Sequence, residues 1–259
     1  LPRAASTFAS SPNFCTFVHK KVDSRRISGA NSRDRAGVFD AMRLGLFGGT
    51  FDPIHLGHLI LAEQCREACR LDRVWFVVAG APPHKQGDRT PAFYRIEMAR
   101  IAIAGHQAFE VSDLEARRPG PHYSVDTLEA VHRERPGDDL FFLIGADSLV
   151  DLPTWRDPAG IARLATIVVV NRPGMDKADP SIVPSFGPGT KDLQFVTIPS
   201  IGIASKVLRQ RLAERRTIRY MVPRGVEAYI EAQGLYRGPA TAEPSVQGRS
   251  DSSGSSVRG

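Results

Sequence analysis

Leu44-Gly45-Leu46-Phe47-Gly48-Gly49-Thr50-Phe51-Asp52-Pro53-Ile54-His55-Leu56-Gly57-His58 opens as a short apolar strand and runs into a helical pattern that starts near Leu56. Glycines at the carboxyl end of a strand let backbone approach a ligand closely. The helix behind them presents unpaired N–H groups to negative charge. His55 and His58, three apart at the first turn, aim imidazole donors at the same place. Such a loop holds phosphate and sets donors where charge develops when phosphorus is attacked. A helical zinc motif is a poor alternative, because H-x-x-H lacks the i,i+4 spacing and the glutamate of that motif.

Outward from this loop the chain alternates. Apolar runs bounded by turn residues predict strands at Arg43–Phe47, Val74–Ala79, Phe109–Val111, Leu140–Ile144, Ile167–Val170 and Gln194–Thr197. Helical patterns predict helices at Leu56–Arg70, Pro91–Ala104, Ser124–Arg135, Pro158–Arg163, Ala204–Ala213 and Arg224–Ala232. Val74-Trp75-Phe76-Val77-Val78 is apolar without alternation, as a parallel strand covered on both faces requires. The fold class is therefore α/β, a doubly wound parallel sheet with its ligand at the carboxyl ends of the strands. The glycine-and-histidine loop follows the first strand, where that rule puts a site.

The 259 residues, 42% of them apolar, suffice for one substantial core. No run approaches the roughly eighteen apolar residues of a membrane span, so no membrane partner is expected. The net charge of +6 lies mostly in the flanks: Met42 to Tyr236 carries 24 Lys/Arg against 23 Asp/Glu. A nucleic-acid footprint would cluster on a folded face, and none is expected here. Residues 1–41 are Ser/Arg-rich and acid-poor, and read as a disordered or artefactual N-terminal extension ahead of Met42, with a transit peptide as the alternative. Residues 42–236 are expected to form the folded body, and 237–259 read as a disordered Ser/Gly/Pro-rich tail. Cys65 and Cys69, with Leu61 and Ala68, are assigned to the apolar face of the first helix; with Cys15 they make neither a CxxC pair nor a disulfide framework. That usage fits a reducing, cytoplasmic compartment. The oligomeric state is open, a homo-oligomer included.

Further blocks stand downstream. Pro82-Pro83-His84-Lys85 is a stiff loop past the second strand, whose lysine can meet phosphate or only solvent. Tyr123-Ser124-Val125-Asp126-Thr127 begins a helix whose N–H groups and Ser124 hydroxyl can receive a carboxylate or simply cap. Gly145-Ala146-Asp147-Ser148 follows an apolar strand; Asp147 there can accept from ribose hydroxyls or an adenine amine, or the tract can simply be an N-capped helix start. Leu152-Pro153-Thr154-Trp155 comes next, then Ile203-Ala204-Ser205-Lys206-Val207-Leu208-Arg209.

Taken in order from about Met42 to Tyr236, these blocks, together with Leu114-Glu115-Ala116-Arg117-Arg118-Pro119-Gly120-Pro121-His122, resemble bacterial nicotinate-nucleotide adenylyltransferases of the T/HxGH nucleotidyltransferase superfamily. The resemblance implies a Rossmann-like nucleotidyltransferase fold and adenylyl transfer from ATP, with its Mg²⁺, to nicotinate mononucleotide. It implies catalytic roles at the phosphates for His55, His58, Lys85 and Arg209. ATP contacts would fall to Gly48, Gly49, Thr50, Phe51, Gly145, Asp147 and Ser205, and mononucleotide contacts to Tyr123, Ser124 and Trp155. No metal-binding side chains are implied. Ala204 and Lys206 stand where the family's ISSTxxR block has serine and threonine; Ser205 and Arg209 remain, four apart on one helical face. The rival readings are another transferase of the superfamily, acting on phosphopantetheine or a cytidylyl substrate, a class I aminoacyl-tRNA synthetase, and a nucleotide-binding protein without turnover.

Overall fold

Strands buried on both faces must send alternate side chains into two separate cores. In the computed structural model Leu140, Phe142 and Ile144 enter one apolar cluster while Phe141 and Leu143 enter the other. Ile167 and Val169 likewise oppose Val168 and Val170. Burial of each such side chain stabilises the fold by roughly 1.5–3 kcal/mol. Residues 41–80, 89–171, 181–199 and 201–237 are the ones described. The chain divides into two units, Leu1–Val38 and Phe39–Gly259, the first wholly outside the described residues.

Six strands build the sheet: β1 (Arg43–Gly49), β2 (Arg73–Val78), β3 (Phe109–Ser112), β4 (Asp139–Gly145), β5 (Ala165–Asn171) and β6 (Leu193–Thr197). They are all parallel, in the order β3-β2-β1-β4-β5-β6. Strand order reverses between β1 and β4, which is where a doubly wound sheet leaves its crevice. The helices are α1 (Leu56–Ala68), α2 (Ala92–Ile103), α3 (Ser124–Glu134), α4 (Ala146–Asp151), α5 (Pro158–Leu164), α6 (Ser205–Ala213) and α7 (Arg224–Ala232). Side chains of α1, α2, α6 and α7 join the core on one face, and those of α3, α4 and α5 the core on the other. Among the described residues no helix is long and apolar enough to cross a membrane.

The tract after β4 does start a helix, the short α4, which runs into a 3₁₀ turn at Leu152–Thr154. One reading needs correction. On α1 the buried stripe is Ala62, Cys65 and Cys69, while Ala68 is exposed and Leu61 only half-buried. Burial pushes the Cys65 thiol up to about 12 and the Cys69 thiol up to about 11, so neither supplies thiolate near neutrality. In a Cys15→Ser chain at pH 8, a thiol reagent is expected to leave both unlabelled until denaturant is added. Rapid labelling of the native protein would contradict this burial.

Candidate active site

The loop after β1 is tightly built. Phe51 takes a left-handed backbone conformation, φ 48°, which costs a non-glycine residue about 1–2 kcal/mol. Its ring lies over Gly49, where an added Cβ would come within 2.7 Å of it. It packs edge-on against Phe47 and His58, at centroid separations of 5.4 and 5.0 Å. The Phe51 side chain is thus fully buried, which leaves its backbone as the part that can meet a ligand.

His55 precedes α1 and is buried, and His58 lies in the first turn. Their rings stack at 3.6 Å with planes 21° apart. The His55 backbone N–H donates to His58 Nδ1 at 3.2 Å. That bond makes Nδ1 the acceptor, so the neutral ring carries its proton on Nε2. Both histidines line a hollow of about 260 Å³ together with Gly57, Ala204 and Ser205. Sequence blocks nearly 150 residues apart therefore meet at one wall.

Arg209 lies one turn beyond Ser205 on α6. Its Nη1 donates to the Asp52 carbonyl at 2.6 Å, and Ser205 Oγ donates to the Pro53 carbonyl at 2.9 Å. Both groups expected at the phosphates here hold the loop that carries the histidines. Lys206 is exposed on the same helix. Lys85 and His84 lie outside the described residues. Thr50 is half-buried, and its carbonyl accepts from Arg95 Nη1 at 2.8 Å.

A second hollow, about 200 Å³, opens at the carboxyl ends of β1 and β4. Gly48, Gly49, Gly145, Ser124 and Trp155 line it, as do Glu115, His122 and Ser148. Ser124 is the first residue of α3, so that helix presents its N-terminal N–H groups here. Trp155 is half-buried and meets Phe142 edge-on at 6.2 Å. Tyr123 is not among the lining residues; its ring carries the Arg156 guanidinium at 4.7 Å. Asp147 is exposed on α4 and outside the lining, and its neighbour Ser148 takes the inward place.

Sequence reasoning missed Glu115, His122 and Arg95. Glu115 Oε1 accepts from Thr127 Oγ1 at 2.8 Å, and Oε2 from the Gly80 N–H at 3.3 Å. His122 is buried and donates from Nε2 to the Arg118 carbonyl at 3.0 Å. A Cβ on Gly80 would come within 2.6 Å of the His122 ring, so glycine is required there. Both residues sat in the quoted Leu114–His122 block, but nothing local marked them as lining. A larger hollow, about 800 Å³ and lined by Arg215, Arg216, Arg219, Arg224 and Arg237 among others, contains none of the expected site residues. Among the described residues no group of three or more His, Cys, Asp or Glu side chains is placed to hold a metal ion.

A parallel sheet with its switch point beside a glycine loop and two imidazoles defines a nucleotidyltransferase, and residues 46–211 match the Cytidylyltransferase-like family. A probable nicotinate-nucleotide adenylyltransferase of Thermus thermophilus is 50% identical over 198 residues, covering 76% of this chain and 100% of that protein. One from Thermomicrobium roseum is 47% identical over 209 residues, covering 80% and 97%. This chain belongs to the nicotinate-nucleotide adenylyltransferase family. The Plasmodium falciparum nicotinic acid mononucleotide adenylyltransferase complexed with NaAD shares the fold, with a TM-score of 0.63 at 21% identity over 75% of this chain and 97% of that one.

Proposed function

We propose that this protein transfers the adenylyl group of ATP to nicotinate mononucleotide, forming deamido-NAD and pyrophosphate, a step of NAD biosynthesis. The observation that carries this reading is the stacked His55–His58 pair at the start of α1, flanked by the Ser205 hydroxyl and, beyond β1, by the hollow of Ser124 and Trp155. A phosphate oxygen of the mononucleotide bonds to the α-phosphorus while the bond to the bridging oxygen breaks and pyrophosphate leaves. No protein nucleophile is required, so positioning and charge stabilisation supply the catalysis.

His58, its neutral proton set on Nε2, donates to the oxygens that gain charge, and His55 fixes that tautomer through its N–H. Ser205 and Arg209 exchange their loop carbonyls for the β- and γ-phosphates when ATP enters, and Lys85 adds a cation. Gly48, Gly49 and Gly145 give the nucleotide close backbone approach. Magnesium enters as the MgATP substrate, held by phosphate oxygens and water.

At the other end Trp155 offers a flat face to the pyridine ring. Ser124 and the α3 N-terminus receive the ring carboxylate. Glu115 also lines that hollow and by charge alone would favour the amide, so acid preference rests on the α3 donors. A steady-state panel of the acid and amide mononucleotides with ATP is the decisive experiment. The acid is expected to react about tenfold or more faster in kcat/KM, the scale of a helix N-terminus acting on a partly buried anion. An absence of deamido-NAD would overturn the reading. Trp155→Ala is expected to raise KM for the mononucleotide about tenfold, on the scale of one lost ring stack, with KM for ATP unchanged.

A further inference from the structure

Asp52 is 4% exposed, yet it is a carboxylate in a loop where an apolar side chain would pack at less cost. Its Oδ1 accepts from the Tyr236 hydroxyl at 2.5 Å across 184 residues of sequence, and its Oδ2 from the Thr90 N–H at 3.4 Å. Its backbone carbonyl accepts from Arg209. Asp52 is thereby fixed through both side chain and main chain, three residues before His55. Tyr236 itself sits in a left-handed conformation, φ 62°, just beyond α7. Burial and the Asp52 hydrogen bond both raise its pKa, so the hydroxyl stays a donor through the alkaline range.

We propose that Tyr236 is a positioning residue for adenylyl transfer: through the Asp52 carboxylate its hydroxyl sets the loop that carries His55 and His58. The inference rests on the function proposed above. A buried hydrogen bond to a charged group, once lost, frees the loop, and small displacements of reacting groups are expensive in rate. Neither Asp52 nor Tyr236 lines either hollow of the site, so the effect of their contact belongs in turnover rather than in binding.

The test compares full-length wild type, Tyr236→Phe, Asp52→Ala and the double variant by steady-state kinetics and by hydrogen exchange at residues 50–55. For Tyr236→Phe the expected result is a fall in kcat of about tenfold, KM for both substrates within about twofold, and loop exchange about tenfold faster. The double variant should fall no further than the worse single variant, because both changes cut one contact. Unchanged kcat and loop exchange with only a lower Tm would mark a structural staple and overturn the proposal, as would additive losses. Should Tyr236→Phe not fold, Asp52→Ala carries the same readouts. A wild type that makes no deamido-NAD would overturn the function instead, and the exchange arm would then decide the latch alone.

Discussion

Replacing His58 by alanine is expected to lower kcat by about 10²–10³-fold, the scale for losing one preorganised donor at a developing oxyanion. The side chain is half-buried, stacked on His55 and packed edge-on against Phe51, so its removal leaves a small gap beside a well-filled core. Circular dichroism should therefore report an intact fold while single-turnover kinetics report the loss. His58→Asn, which can keep a donor near the same place, should recover part of the rate. Unchanged turnover in correctly folded His58→Ala would refute its role at the phosphates.

Arg95→Met is expected to have the largest effect on stability, about 3 kcal/mol, because three backbone carbonyls lose their donor at once. Arg95 is 2% exposed; its Nη1 donates to Thr50 and Ala79 carbonyls at 2.8 and 2.7 Å, and its Nε to Thr90 at 2.8 Å. Burial lowers its pKa, with the Asp52 charge acting in the opposite direction. Methionine fills much of the volume and satisfies none of the oxygens. The melting temperature should fall by about 10 °C for a chain of this size. Arg95→Lys should regain only part of it, since one ammonium cannot reproduce a planar fork. A Tm within about 2 °C of wild type would show that water or a local rearrangement satisfies those carbonyls instead.

The sheet was legible because burial on both faces leaves runs such as Val74–Val78 uninterrupted, and β2 occupies Arg73–Val78. α4 was not, because six residues are too few to display a helical period and only its Gly-Ala-Asp-Ser start was visible. The stripe on α1 was misjudged by a fraction of a turn. Cys65 with Ala62 and Cys69 faces inward, and the i+3 neighbour Ala68 rotates into solvent at the last turn. Within the site, the histidine pair could be read because its parts are three residues apart and share one helix start. Asp147 against Ser148 is a matter of rotation about α4, which no spacing argument resolves. Arg95 did leave a trace, as a charge set into the apolar face of Ile96, Met98 and Ala99. Its three acceptors, and the partner of Tyr236, depend on loops that only the folded sheet brings together.

Among the described residues, four fastenings of residues 52–56 come from late segments of the chain: Ser205, Arg209, Met221 and Tyr236. Synthesis proceeds from the amino terminus, so a nascent polypeptide emerging from the ribosome holds its histidine loop unbraced until α6 and α7 have followed. Such a growing chain already contains the whole glycine-and-histidine motif, yet lacks the clamps that aim it. The aim of the two imidazoles is therefore expected to be completed only when those late helices dock.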